Sequence, residues 1–313
     1  MVRASAPAGY ACLPVLYLIS HGVINLTVLN VPEALPASLL VTYRLFRTQG
    51  PLSRETAAAR LSPSPTHPAF TDETNKGVKA ALSEGLGMGL LVEDGELIAL
   101  AAAYREAPPT VAAFRTIVRR LILDLSNPRN HDLARALAWF LTLDPYRAPA
   151  AQGWTDMQVQ HPVVTDVIGN DIRWGNFQRW TQFLGFGERA VVERATTARK
   201  ARVTDVLLPN ATAAVLDCWP EITARLSRSV PISEFLSAVN QSLPVLDEGS
   251  FSREFAEGGH TLTGSMSMTL LELEDAGHLH LEDLSDTGKW RLRRPDGRDV
   301  PYSHVIIKEG ARA

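Results

Sequence analysis

The chain has 313 residues and a formal net charge of −3, and 45% of its residues are hydrophobic while 21% are charged. This composition excludes an intrinsically disordered chain, and the length is sufficient for two or three globular domains. A slightly acidic chain has no overall positive field, so any contact with nucleic acid must use local basic surfaces.

Residues 1–36 are interpreted as an N-terminal extension that precedes the regular pattern of helices. Arg3 is followed by an apolar run from Tyr10 to Ile19, which Pro14 interrupts and no convincing cleavage site follows. The run is too short to cross a membrane. A secretory signal peptide and an upstream extension from a misplaced start codon are the two explanations, and the missing cleavage site favours the second.

Residues 37–104 have the element order of a winged helix-turn-helix module. An apolar stripe predicts a first helix, Ser53 is placed to cap a short second helix, and a third helix follows over 73–85. Two short apolar strands then flank Asp94-Gly95, which is a two-residue hairpin signal. The order helix, helix, helix, hairpin predicts the first winged helix.

The middle of the chain, residues 109–208, is predicted to be a helical region with a degenerate second winged helix. Apolar periodicity indicates helices at 111–126, at 132–143 and over 170–187. The segment 187–209 then has the composition of a long wing. Connecting helices are expected at 209–230.

A third winged helix is predicted for residues 231–313. Its three helices are expected at 231–243, 250–259 and 263–277. The strands that follow are expected to pair as a hairpin that turns from Ser285 to Gly288. The predicted fold class is therefore mainly α with small β-hairpin wings, an α+β protein with tandem winged-helix modules.

The helix predicted at 170–187 carries polar side chains at intervals of three residues, mostly off the apolar stripe of Phe177 and Trp180. Arginine, asparagine and glutamine bind purine edges in the major groove, so this composition is typical of a recognition helix. The residues are Arg173, Asn176, Arg179 and Gln182. The alternative is that they only cover the solvent face of a surface helix.

Two further groups complete the predicted DNA contacts. The wing of the middle region offers Arg199, Lys200 and Arg202, together with Arg194, to phosphates. The third helix of the first module offers Asn75, Lys76 and Lys79. Asp72 and Glu73 precede them and would repel phosphate, which weakens this second group.

The C-terminal module has the opposite charge. Glu272, Glu274 and Asp275 end its third helix, and further acidic residues follow in the expected hairpin. Such a surface is repelled by a duplex, so residues 231–300 are predicted to dock other protein subunits.

No motif with a catalytic mechanism occurs in the sequence. His278 and His280 alternate along an expected strand, and no third ligand of metal-site spacing accompanies them. Cys12 and Cys218 are far apart, which excludes a disulfide framework and favours a reducing, cytoplasmic location. We therefore expect no enzyme activity, no metal, no cofactor and no membrane contact.

Two stretches, VLNVPEALPASLLVTYRLF at 28–46 and NDIRWGNFQRWTQFLGFG at 170–187, resemble the DpdG family of bacterial 7-deazaguanine DNA modification and restriction clusters. The resemblance covers most of the chain after Val28 and leaves residues 1–27 outside the family pattern. It implies an accessory restriction or anti-phage factor that acts beside helicase-like and nuclease-like partners, and it implies no catalytic residues.

Three hypotheses follow for the function. The first is a DNA-binding accessory subunit of a modification or defence system that contacts double-stranded DNA. The second is a winged-helix scaffold that docks other proteins in such a complex. The third is a transcriptional regulator, although regulators usually have one DNA-reading module per subunit.

Overall fold

Helices and short antiparallel strands alternate along the computed structural model, which describes residues 27–62, 72–147, 153–194, 202–256, 258–284 and 288–308. The α+β class predicted from the sequence is confirmed. Within these ranges, no helix combines the length and the apolar character that a membrane span requires.

The first module contains the three helices and the hairpin in the predicted order. Its elements are α1 (Pro36–Gln49), β1 (Leu52–Ser53), α2 (Arg54–Leu61), α3 (Asp72–Gly87), β2 (Leu91–Asp94) and β3 (Leu97–Leu100). Ser53 caps α2 as predicted, because its hydroxyl accepts a hydrogen bond from Thr56 N at 3.2 Å. Gly95 makes the hairpin turn with a φ of +62°, and β1 adds to the hairpin to give the sheet order β1-β3-β2.

The middle region is helical and ends in a hairpin, as predicted. Its elements are α4 (Val111–Ile122), α5 (His131–Phe140), α6 (Trp154–Gln160), α7 (Val164–Val167), α8 (Asp171–Leu184), β4 (Gly187–Arg194) and β5 (Arg202–Pro209). Asn170 caps α8 by accepting a hydrogen bond from Arg173 N at 2.9 Å, and Gly185 ends it in the left-handed conformation. Phe177 and Trp180 are fully buried, in agreement with the predicted stripe.

A buried arginine of α4 contacts both the end of α8 and the helix Thr212–Asp217. Arg119 of α4 is 1% exposed and donates to Leu184 O at 3.0 Å and to Ala214 O at 3.2 Å. Its guanidinium also contacts the carboxylate of Asp217, which pairs with Arg115 as well. Burial opposes ionisation of Asp217, but hydrogen bonds and charge from the two arginines outweigh it and lower the pKa of the carboxyl below its usual value.

The C-terminal module begins earlier than predicted. Its elements are α9 (Thr212–Asp217), α10 (Trp219–Thr223), β6 (Ser229–Pro231), α11 (Ile232–Ser242), α12 (Gly264–Asp275), β7 (Leu279–Glu282), β8 (Trp290–Arg293), β9 (Asp299–Tyr302) and β10 (His304–Ile307). The helix predicted at 250–259 is only a three-residue 3-10 turn, Arg253–Phe255. The helix at Ile232, predicted to be the first of the module, is therefore its third, because α9 and α10 precede β6.

The hairpin predicted to turn from Ser285 to Gly288 is wrong. Strand β7 pairs with β10, with Leu281 opposite Val305, and β8 pairs with β9 as a separate hairpin. The β8–β9 hairpin turns at Asp296-Gly297, where Gly297 has a φ of +81°. Strands β6, β10 and β7 then form a sheet in the order β6-β10-β7, the same order as β1-β3-β2 in the first module.

The prediction of an N-terminal extension is wrong for the part of it that the structure describes, residues 27–36. Val28 and Leu29 are fully buried, and Val28 N donates to the side chain of Asn130 at 3.4 Å. Trp180 of α8 donates its indole N–H to Ala34 O at 3.1 Å. This stretch is a structural part of the middle region, whereas residues 1–26 lie outside the described ranges.

Candidate nucleic-acid interface

The longest strand pair of the molecule is the hairpin arm, which we define as β4, β5 and the residues that connect them (187–209). The two strands pair in eight consecutive positions, from Gly187 opposite Pro209 to Arg194 opposite Arg202. At a rise of about 3.4 Å per residue, this ladder is about 24 Å long. Val206 and Leu207 near the base are fully buried, but Val191 further out is 73% exposed. The arm is thus packed at its base, and the neighbouring pair of Val191 and Asp205 is exposed.

The far end of the arm is basic. Arg194 and Arg202 form its last backbone pair, so the register brings them to the same end. Arg199 and Lys200 lie outside the described residues, in the sequence that joins the two strands. Residues 194–202 include four basic side chains and no acidic one. A narrow ribbon that ends in this charge has the right sign for phosphate contacts.

Exposed residues of α8 continue this surface at the base of the arm. Arg179 and Gln182 are exposed, and Arg189 of β4 donates to the Gln182 side chain at 3.2 Å. Arg189 also pairs with Asp205 of β5 at 2.8 Å. These contacts join α8 to the base of the arm, and we use the name arm–helix surface for Arg179, Gln182 and Arg189 together with the basic residues that the sequence places at 194–202.

The other two predicted residues of α8 do not belong to this surface, and the expectation that they point outward is wrong. Asn176 is 1% exposed and donates to Leu29 O and Val31 O, both at 3.1 Å. Arg173 pairs with Asp132 at 2.9 Å and also contacts the side chain of Asn30.

The reason for this division is helical geometry. A spacing of three residues falls short of a full 3.6-residue turn, so each step rotates the side chain by about 60°. The four polar side chains predicted to bind DNA therefore wind around α8, from a face that residues 27–34 cover to a face in solvent. Val28-Leu29, an apolar pair ahead of the first helix, was the sequence signal that something packs there.

The predicted residues of the first module form a separate surface. Lys76 and Lys79 are exposed on α3, while Asn75 lies in the same helix and its side chain is not among those described. These two lysines thus lie on a different helix from Arg179 and Gln182.

Helix α12 occupies in the C-terminal module the place that α3 occupies in the first, but it is covered. Asp275 is its one exposed residue. A Cβ atom added to Gly264 would lie 2.7 Å from the ring of Pro145, so the start of the helix abuts the middle region. Glu272 near its end accepts a hydrogen bond from Asn210 at 3.1 Å, next to the base of the arm. In this arrangement α12 cannot enter a DNA groove.

His280 lies in β7 and His278 just precedes that strand, and both histidines have protein partners. His278 packs edge-on against Trp219 with ring centroids 5.6 Å apart, and His280 contacts the Glu274 carboxylate at 2.7 Å. Across the described ranges, no three side chains of histidine, cysteine, aspartate or glutamate come together in the way a metal ion would require.

A family model described as DpdG-like matches residues 26–287, which is most of the chain. The matched range includes the elements from α1 to β7, among them the hairpin arm and α12. No curated protein and no solved structure matches the chain.

Proposed function

The chain belongs to the DpdG-like family, and from this premise we propose that it is a non-catalytic, DNA-binding accessory subunit of a bacterial DNA modification or restriction system. Family membership associates the chain with a DNA modification system. The DNA-binding role is our inference from the arm–helix surface.

The observation that carries the proposal is the hairpin arm with its basic end. The major groove of B-DNA is about 12 Å wide and admits a two-stranded β-ribbon as well as a helix. A local group of basic residues of this kind can contact phosphates although the chain as a whole is slightly acidic. Arg179 and Gln182 at its base are exposed side chains of the types that bond to phosphates or to base edges.

We further propose that residues 36–100 and 212–307 are winged-helix modules. Support comes from a similar element order, in which helix (α1, or the short helices α9 and α10), a short strand, two helices and a pair of antiparallel strands follow one another. The matching sheet orders β1-β3-β2 and β6-β10-β7 add to it. In the second of these modules the β8–β9 hairpin is inserted between the last two strands. Lys76 and Lys79 of α3 would then supply a second contact to the duplex.

A second candidate function, protein docking through the C-terminal module, is favoured by the burial of α12. A helix that the rest of the chain covers cannot read DNA, and the neighbouring surface carries Glu274, Asp275 and Asp283. We propose that this module holds other protein subunits of the same system while the arm–helix surface contacts duplex. Neither role requires a cofactor.

The test is fluorescence anisotropy of a labelled random duplex, titrated with the full chain at low and moderate salt. The test variant is Arg199→Glu/Lys200→Glu. The matched control, Arg291→Glu/Arg298→Glu, makes the same charge change on the exposed β8–β9 hairpin. We expect the duplex affinity of the test variant to be at least about tenfold lower than that of wild type. The slope of log K against log salt should become shallower by about 2. Equal affinity of the two variants would contradict the proposed role of the arm.

A further inference from the structure

Strand β4 has a free outer edge in the structure. Its sheet contains β4 and β5 only, as far as the described residues extend. Asn210 N donates to Phe186 O at 3.3 Å, so Phe186 and Asn210 are a hydrogen-bonded pair. Hydrogen-bonded and non-hydrogen-bonded pairs alternate along an antiparallel ladder, so this pair sets the pattern for the rest. Even-numbered residues of β4 therefore bond to β5, and the backbone groups of Arg189, Val191 and Glu193 point away from it.

An edge of this kind is normally protected. Exposed edge strands pair readily with other strands, and an isolated two-stranded ribbon is only marginally stable in water. Here the centre of the edge is Val191, which is 73% exposed and β-branched, and no proline or bulge interrupts β4. The edge is thus suited to pair with another strand.

The sequence of β4 is complementary to itself in one antiparallel register. With Val191 opposite Val191 of a second copy, Arg189 stands opposite Glu193 and Glu188 stands opposite Arg194. Ala190 and Val192 face each other between these pairs. Every charged residue of the strand thereby meets the opposite charge, and each contact occurs twice because the register is symmetric. Opposite charges directly across an antiparallel pair are stabilising.

The hydrogen-bonding pattern agrees with this register. Val191 and its copy would form a hydrogen-bonded pair, as would Arg189 and Glu193, and these are the residues whose backbone groups point outward. A shift of one residue would place side chains of opposite faces against each other. A shift of two would put Arg189 opposite Val191 and leave the charges unmatched.

We propose that the outer edge of β4 is a dimerisation surface, and that two copies of the chain join there into the four-stranded sheet β5-β4-β4-β5. The interface is isologous, with a two-fold axis through Val191. The two arms run antiparallel, so their basic ends lie at opposite ends of the shared sheet. This goes beyond the proposed DNA binding and does not depend on it.

Sedimentation velocity over a concentration series, without DNA, tests the proposal on the full chain. Wild type should show a concentration-dependent dimer. Arg189→Glu and Glu193→Arg each place like charges opposite each other at two positions, so each should raise the dimer dissociation constant at least about tenfold. The double variant Arg189→Glu/Glu193→Arg restores both pairs and should dimerise like wild type.

Mixing the two single variants is the most discriminating experiment. One copy then carries glutamate at both positions and the other carries arginine, so an equimolar mixture should form a heterodimer that neither variant forms alone.

Two controls separate pairing from folding of the arm. Asp205→Asn removes the partner of Arg189 within the same arm and should leave the dimer intact. Val191→Pro removes an outward N–H that is not used within the arm, and it should abolish the dimer. A monomeric wild type at every concentration would overturn the proposal, as would a dimer that both single variants retain as fully as the double variant and the mixture.

Discussion

Helices α3 and α12 have corresponding positions in their modules, each directly before a β-strand, but their surroundings differ. In α3, Lys76, Lys79 and Ser83 are exposed. In α12, residues along the whole circumference are buried, and the hydroxyls of Ser265 and Thr269 have no hydrogen-bond partner among the described residues. The first helix has a solvent face, whereas the second is enclosed by α9, β7 and β8 and, at its start, by the middle region.

This difference shows that element order does not determine which surface is available for binding. A similar order of strands and helices leaves a helix with two exposed lysines open in one module and encloses a helix with an acidic C-terminal end in the other. The deciding factor is the rest of the chain, which packs against α12 and leaves α3 uncovered. Three predictions test this contrast through α9, α12 and α3, and a fourth uses a glycine in each helix.

The largest loss of stability is expected from breaking the Arg119–Asp217 ion pair, which holds α9. Helix α9 in turn packs against α12. Asp217→Ala would leave Arg119 with a buried charge that only carbonyl groups and a thiol contact. Loss of one partner of a buried pair is strongly destabilising, and we expect the free energy of unfolding to fall by roughly 3 kcal/mol. Urea denaturation monitored by circular dichroism measures this change.

Acid titration provides the control for that result. The pKa of Asp217 is lowered in the folded protein, so its contribution to stability is present above the unfolded-state pKa and is lost as the pH falls through the folded-state pKa. Asp217→Ala should therefore lose less stability than wild type over that acid range. Parallel losses in the two proteins would show that this carboxylate does not stabilise the fold.

The next effect concerns the contact that covers the start of α12. Gly264→Ala would place a methyl group 2.7 Å from Pro145 Cδ and 3.3 Å from Asp144 Oδ1. A proline ring cannot rotate away, so overpacking should lower the free energy of unfolding by about 1–3 kcal/mol. The same denaturation experiment detects it. An unchanged midpoint would mean that α12 is less tightly covered than the structure indicates.

Local patterns were sufficient to predict much of the fold. Apolar periodicity predicted α1, α3 and α8, the cap at Ser53 predicted the start of α2, and Asp94-Gly95 predicted the β2–β3 turn. Each of these signals acts within about one or two helical turns. The strand pair of the hairpin arm was also predicted, because its two strands are neighbours in sequence.

Contacts between distant segments were not predictable in this way. Strand β7 pairs with β10 across the whole β8–β9 hairpin, and nothing local indicates that the nearer strand will be skipped. Similarly, Asn176 is buried because Leu29 and Val31, far away in sequence, supply the carbonyls that it needs. For the candidate site, residue type predicted which side chains suit DNA, and tertiary packing decided which of them are exposed.

A smaller effect is expected on DNA affinity at α3. Lys76→Gln/Lys79→Gln removes two exposed cations, so duplex affinity should fall about tenfold and the salt slope should decrease by about 2. On α12, Asp275→Lys adds a cation at the one exposed position and should leave affinity unchanged. Anisotropy titrations compare the two. Tighter binding of the Asp275→Lys variant would place α12 near the duplex and remove the contrast.

The smallest effect is the counterpart of the glycine change in α12. Gly77 lies within α3, and a Cβ atom added there meets no atom within 4 Å. Glycine within a helix costs roughly 0.5–1 kcal/mol relative to alanine, chiefly through the freedom of the unfolded backbone. Gly77→Ala should therefore raise the free energy of unfolding by about that amount, while Gly264→Ala lowers it. The opposite signs arise because the same methyl group enters open space on α3 and a filled contact on α12. Two changes of the same sign in denaturant titrations would show that the two helices are equally covered.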